Sequence, residues 1–134
     1  MIKLNYLDHV AIYVADMEKS AAWYEKVLGL KKHVVEKWTP FPIFMLAGKC
    51  GIALFPADTS QPPVKKSYKG AKIDHFAFNV DNDEFLKARK HYEALGIKYN
   101  FQDHFYFHSI YTQDPDGHTV ELTTMMVEEE EFFD

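Results

Sequence analysis

A single cysteine, Cys50, stands in this chain of 134 residues. No intrachain disulfide can form, so the fold must rest on its core, and nothing ties the chain to an oxidising compartment. Basic charge is also scarce: 15 Lys and Arg face 20 Asp and Glu, for a net charge of -5. Nucleic-acid binding wants a basic stripe interleaved with aromatics. The one lysine-rich stretch, Lys65-Lys66 through Lys69 and Lys72, lies close to Pro62-Pro63 and reads as a solvated loop. No apolar run approaches the roughly 20 residues of a spanning helix, and no positive region followed by an apolar run and small-residue site opens the sequence. The expectation is a cytoplasmic protein with no nucleic acid and no membrane among its partners. Apolar residues, by contrast, make up 47% of the chain and include eleven Phe and eight Tyr. That is ample for a core and too rich for disorder, and the length suits a single domain.

Two stretches repeat one pattern. Leu7-Asp8-His9-Val10-Ala11-Ile12-Tyr13-Val14 and Ile73-Asp74-His75-Phe76-Ala77-Phe78-Asn79-Val80 both read apolar-Asp-His-apolar-Ala-apolar-X-Val. Each leads into an amphipathic segment, the first ending Leu28-Gly29-Leu30-Lys31 and the second Leu95-Gly96-Ile97-Lys98. The chain is therefore an internal duplication with a period of about 67 residues. Module one covers about 4–56, a Pro- and Lys-rich linker 57–70, module two about 71–125, and an acidic tail 126–134.

The local patterns of the modules agree. Tyr6 to Val14 alternates as a strand with His9, Ala11 and Tyr13 on one face. Asp16 is a helix cap, Met17, Ala21, Tyr24 and Leu28 form one helical stripe, and Gly29 ends the helix. Strands near Lys31 to Lys37, Ile43 to Ala47 and Gly51 to Phe55 complete β-α-β-β-β. Module two repeats this order. Strand Lys72 to Val80 meets a cap at Asp81 or Asn82, and the stripe Phe85, Ala88, Tyr92, Leu95 runs to Gly96. Strands near Lys98 to Gln102, Phe105 to Thr112 and His118 to Thr124 follow, the last two joined by the turn sequence Asp114-Pro115-Asp116-Gly117. The tail Glu128 to Asp134 carries a run of like charge that is expected to fray, with Phe132 and Phe133 free to dock on a neighbour.

The repeat also locates chemistry. Ile52-Ala53-Leu54 aligns with Val120-Glu121-Leu122, so the apolar flanks face the helices and Glu121 faces the side that carries His75. A carboxylate on a protein-lined surface is costly by itself and reasonable beside a cation. His9, His75 and Glu121 form a two-histidine, one-carboxylate set, the ligand type of open Fe(II) sites, and one that also suits catalytic Zn²⁺. Mn²⁺ and Ni²⁺ remain compatible. The fourth equivalent position is Ala53, which cannot ligate, so the ion keeps open positions. Tyr111, on the preceding strand with Ser109 and Phe107, is a candidate to donate a hydrogen bond to a bound oxygen, and Tyr13 is a second. His104 and His108, four apart, fall on one face of this strand region, and His108 faces away if Tyr111 faces in; His104 is a candidate acid or base at the mouth of the site. The aromatic stretch Trp38 to Phe44 is a candidate wall or lid.

Leu7-Asp8-His9 to Leu30, the Ile73 to Phe78 strand and Asp114-Pro115-Asp116-Gly117-His118-Thr119-Val120-Glu121-Leu122 together resemble the vicinal oxygen chelate superfamily. This group includes glyoxalase I, extradiol dioxygenases, fosfomycin-resistance enzymes and bleomycin-resistance proteins. The resemblance implies an α+β fold of two βαβββ modules whose mixed sheet curls around one divalent metal ion, often completed in a homodimer. It carries the ligand role to His9, His75 and Glu121. It implies a metal-dependent lyase, isomerase or extradiol-type dioxygenase acting on a small substrate that chelates through vicinal oxygens. The alternative it offers is a drug-binding protein without catalysis. Ala53 stands where glyoxalase I has its fourth, basic glutamate. The stretch Thr123 to Val127 lacks the basic residues that hold fosfomycin's phosphonate, which makes a fosfomycin enzyme a poor fit.

Overall fold

The computed structural model describes residues 1–133. The chain divides into two compact units, the first Met1–Lys65 and the second beginning at Lys66. In the first unit β1 (His9–Val14) is followed by α1 (Met17–Leu28), β2 (Lys31–Val34), β3 (Ile43–Ala47) and β4 (Cys50–Pro56). The second unit repeats the order with β5 (His75–Asn79), α2 (Asn82–Leu95), β6 (Asn100–Asp103), β7 (Phe107–Gln113) and β8 (Thr119–Met125), then a short α3 (Glu129–Phe133). Each unit holds a four-stranded mixed sheet, ordered β1-β4-β3-β2 in one and β5-β8-β7-β6 in the other. In each, the first strand pairs parallel with the last, and the other pairings are antiparallel. This is the α+β pair of βαβββ modules that the repeat predicts.

Local chemistry explains the elements. The Asp16 side chain accepts the Lys19 N–H at 3.0 Å and starts α1, and Gly29 ends it at φ 69°, a left-handed conformation that glycine adopts without a Cβ clash. Asp81 occupies the equivalent start of α2 but makes no side-chain capping bond. Both helices cover one face of their own sheet. Ala21, Tyr24 and Val27 from α1 are buried in the unit that also buries Val14, Ile43, Met45, Ile52 and Leu54, and Phe85 and Tyr92 from α2 in the unit that buries Ile110, Val120 and Leu122. Gly51 sits so close to β3 that an added Cβ would run into the Met45 carbonyl.

The strands differ from their predicted bounds for a pairing reason. β1 begins at His9 because its partner β4 begins with the hairpin at Cys50. The last contact upstream is the Gly51 N–H donated to the Asp8 carbonyl. β5 begins at His75, opposite Thr119, where β8 emerges from its turn. Both histidines therefore stand at the first paired position of their strands. β7 begins at Phe107, not Phe105, because residues 104–106 form a turn with Phe105 at φ 70°. The acidic run, expected to fray, forms the single turn of α3, with the Phe132 ring against Tyr106 and Phe107.

Candidate metal centre

On β8 the side chains of Val120, Leu122 and Thr124 are buried on one face, and Thr119, Glu121 and Thr123 take the other by strand alternation. The parallel neighbour opposite Glu121 is Ala77, and the antiparallel neighbour is Tyr111. The small Ala77 leaves room for His75 to lean across: its Nε2 lies 2.9 Å from Glu121 Oε1. The Glu121 side chain is only 9% exposed, and its other oxygen accepts the Ser109 hydroxyl at 2.7 Å. His75 Nδ1 is 2.8 Å from Asp74 Oδ2. When Nδ1–H donates to Asp74, Nε2 presents a lone pair to a carboxylate oxygen, and two such pairs at this distance require a proton or a cation beside them. The donors thus fit a divalent ion, and the carboxylate–histidine arrangement is one that fixes ring orientation at metal sites.

The first unit carries the same frame with different contents. His9 Nδ1 is 2.7 Å from Asp8 Oδ1, as His75 is to Asp74. The His9 ring lies edge-on to Phe44 at 5.6 Å, and the His75 ring edge-on to Tyr111 at 5.6 Å. Phe44 pairs with Ala53, and Tyr111 with Glu121. The carboxylate and phenol of the second unit are therefore replaced in the first by Ala53 and Phe44. Trp38 lies 6.0 Å from Phe44, so the aromatic stretch adjoins the histidine of its own unit. Tyr13 is exposed, beside Phe55.

The structure brings His75, Glu121, Tyr111 and His104 together within the second unit. His104 Nε2 is 3.0 Å from the Tyr111 hydroxyl, a contact set by hairpin register, since His104 stands opposite Phe107 on the face that carries Tyr111, whereas one continuous strand would put the two on opposite faces. Burial pushes the Tyr111 phenol up from its ordinary range, and the Glu121 carboxylate adds to that, so the group stays protonated near neutrality. His108 turns the other way, against Phe101. Asp8, Asp74 and Ser109 are contacts of the site that the sequence does not single out for a role. The Asp-His pair in both repeats was the available signal for the first two. Ser109 had none beyond sharing a face with Tyr111.

A further grouping of possible ligands, Asp114, Asp116 and His118, belongs to the β7–β8 turn. Asp114 Oδ1 accepts the N–H groups of Asp116 and His118, each at 2.9 Å, and Oδ2 meets His118 Nδ1 at 2.8 Å. That carboxylate holds the turn, and through it the His118 pKa is raised.

Residues 6–122 match the family model of the Glyoxalase/Bleomycin resistance protein/Dioxygenase superfamily. The chain belongs to this superfamily. Among curated proteins of related sequence it is 29% identical over 121 residues to the glutathione transferase FosA of Serratia marcescens, covering 89% of this chain and 80% of that protein. It is 32% identical over 125 residues to a probable trivalent organoarsenical cleaving enzyme of Bacillus subtilis (strain 168), covering 85% and 76%. Among solved structures, a glyoxalase/dioxygenase from Nostoc punctiforme superposes with a TM-score of 0.77 at 21% identity, covering 91% of this chain and 92% of that one. This last likeness supports the fold. Membership of the glyoxalase superfamily supports a metal-dependent enzyme and leaves its substrate and class open. Among the described residues no helix is long and apolar enough to cross a membrane.

Proposed function

We propose that the protein is a metal-dependent enzyme of the glyoxalase/dioxygenase type, with His9, His75 and Glu121 as the ligands and Tyr111 and His104 as the groups that handle protons. The observation that carries this reading is the His75–Glu121 contact at 2.9 Å on the face of β5 and β8 that also presents Tyr111. Fe(II) and Zn²⁺ suit the two imidazoles and one carboxylate best, with Mn²⁺ and Ni²⁺ compatible. Such an ion, when bound, would supply Lewis acidity to a small substrate that chelates it through two neighbouring oxygens.

The chain's own residues supply the remainder. Asp8 and Asp74 hold each imidazole by Nδ1 and leave Nε2 for ligation. Ser109 fixes the outer oxygen of Glu121. Tyr111 Oη holds a proton toward the substrate's oxygens, and His104 Nε2, in contact with that hydroxyl, can take a proton from it or return one. In this reading His104 serves as the base that Ala53 cannot supply. Phe44 and Trp38 offer an apolar wall beside His9.

The likeness to the glutathione transferase FosA favours addition of a nucleophile as one variant of this chemistry. The likeness to the organoarsenical cleaving enzyme meets a chemical difficulty, since soft trivalent arsenic prefers several thiolates and this chain has Cys50 alone. A homodimer is part of the reading. Ile2, Leu4, Leu7 and Tyr13 are large apolar side chains left exposed, and such surface marks interaction sites.

Metal analysis by inductively coupled plasma mass spectrometry, on protein purified without chelator, tests the proposal. Wild type is expected to carry near-stoichiometric metal, and His75→Ala and Glu121→Ala to lose it. Iron directs attention to oxygen chemistry, and zinc, nickel or manganese to isomerisation or addition. Wild-type protein that stays empty after reloading overturns the reading in favour of a binding protein.

A further inference from the structure

The turn that delivers His104 to Tyr111 is held against its own preference. Phe105 has φ 70°, and for a bulky non-glycine residue this left-handed conformation survives only where surrounding contacts impose it. The Phe105 side chain does not supply the compensation, being 74% exposed. Four hydrogen bonds do. The Phe105 N–H donates to Asp103 Oδ1 at 2.9 Å, the Tyr106 N–H to the His104 carbonyl at 2.9 Å, the His104 N–H to the Phe107 carbonyl at 2.8 Å, and the Met126 N–H to the Tyr106 carbonyl at 2.8 Å. The last of these comes from the segment after β8.

That segment then returns to the same turn. The Phe132 ring lies edge-on to Phe107 at 4.7 Å and to Tyr106 at 5.6 Å. Tyr106 and Phe107 are the two residues on the exit side of the turn, and Phe107 shares its strand face with Ser109 and Tyr111. Two separate points of the C-terminal segment, Met126 and Phe132, therefore pin the exit of the turn whose entry presents His104.

We infer that Phe132 is a positioning residue: the C-terminal segment straps the 104–106 turn so that His104 stays in hydrogen-bond contact with Tyr111. The functional meaning rests on the reading of Tyr111 and His104 given above, but the geometric relation does not. Phe132 touches neither ring of the pair and acts through Tyr106 and Phe107. A Phe132 that merely covers Phe107 would leave the His104 imidazole undisturbed when removed.

The test is long-range ¹H–¹⁵N correlation of the histidine ring nitrogens in the full chain, assigned with His104→Asn and with Tyr111→Phe as the reference for a lost contact. Phe132→Ala is expected to move the His104 Nε2 signal toward its Tyr111→Phe position, and Phe132→Tyr to restore the wild-type position. A folded Phe132→Ala protein with His104 unmoved overturns the inference. If Phe132→Ala does not fold, Phe132→Leu is read for the same displacement, and an unmoved signal there has the same force. No metal or turnover is needed, so this measurement fails or succeeds separately from the metal analysis.

Discussion

Tyr92 shows what a single atom can contribute. Its ring is buried at 1% exposure in the core beneath α2, yet among the described residues its hydroxyl has no hydrogen-bond partner. Burial pushes this phenol far above its ordinary range, so it stays neutral near neutral pH. A buried polar atom without a partner carries an uncompensated desolvation penalty of about 1–3 kcal/mol. Tyr92→Phe keeps the ring, which lies 5.9 Å from Tyr99, and removes the penalty. Urea denaturation is expected to show a variant as stable as wild type or more stable by about 1 kcal/mol. A loss of that size would mean that the hydroxyl is satisfied after all. Glu121 is the opposite case: also buried, but with Ser109 and His75 in place, it is a polar residue the fold has prepared for.

At the scale of elements, the turn between β6 and β7 is where local preference and placement disagree. Glycine would adopt φ 70° freely, whereas a residue with a Cβ is disfavoured there by roughly 1–2 kcal/mol. Glycine's larger freedom in the unfolded chain takes back about 0.5–1 kcal/mol. Phe105→Gly should therefore leave stability unchanged or raise it by up to about 1.5 kcal/mol in equilibrium urea unfolding. Destabilisation beyond that would show that the Phe105 ring, 4.9 Å from Tyr106, packs harder than its exposure suggests. The helices present no such conflict. Asp16 and Gly29, like Gly96, do at the ends what their residue types favour, and the apolar stripe between faces the sheet. Those elements were legible for that reason. The strand starts were not, since β1 and β5 begin where β4 and β8 offer a partner, and a partner is a property of another part of the chain.

For the whole molecule, the duplication is the organising fact. Two units with one topology differ at equivalent positions of their sheets, with Phe44 and Ala53 in one where Tyr111 and Glu121 stand in the other. The first unit keeps the Asp8–His9 pair, and the second adds to its own Asp74–His75 pair the Glu121 carboxylate and the Tyr111–His104 contact. The exposed apolar side chains near the N-terminus lead to an assembly prediction: multi-angle light scattering of the purified chain should report twice the mass of one chain. A single-chain mass at micromolar concentration would remove the homodimer from the reading. Much of this is legible in the order of the residues. The repeated Asp-His strands, the helical stripes and the offset that sets Glu121 against Ala53 are properties of order and spacing, which local backbone periodicity turns directly into faces. The contact of His75 with Glu121, the Asp74 and Ser109 bonds that orient them, and the reach of His104 to Tyr111 are different in kind. They depend on register between strands and on a left-handed turn held from the far end of the chain, and pairings over such distances are decided only when the tertiary structure closes.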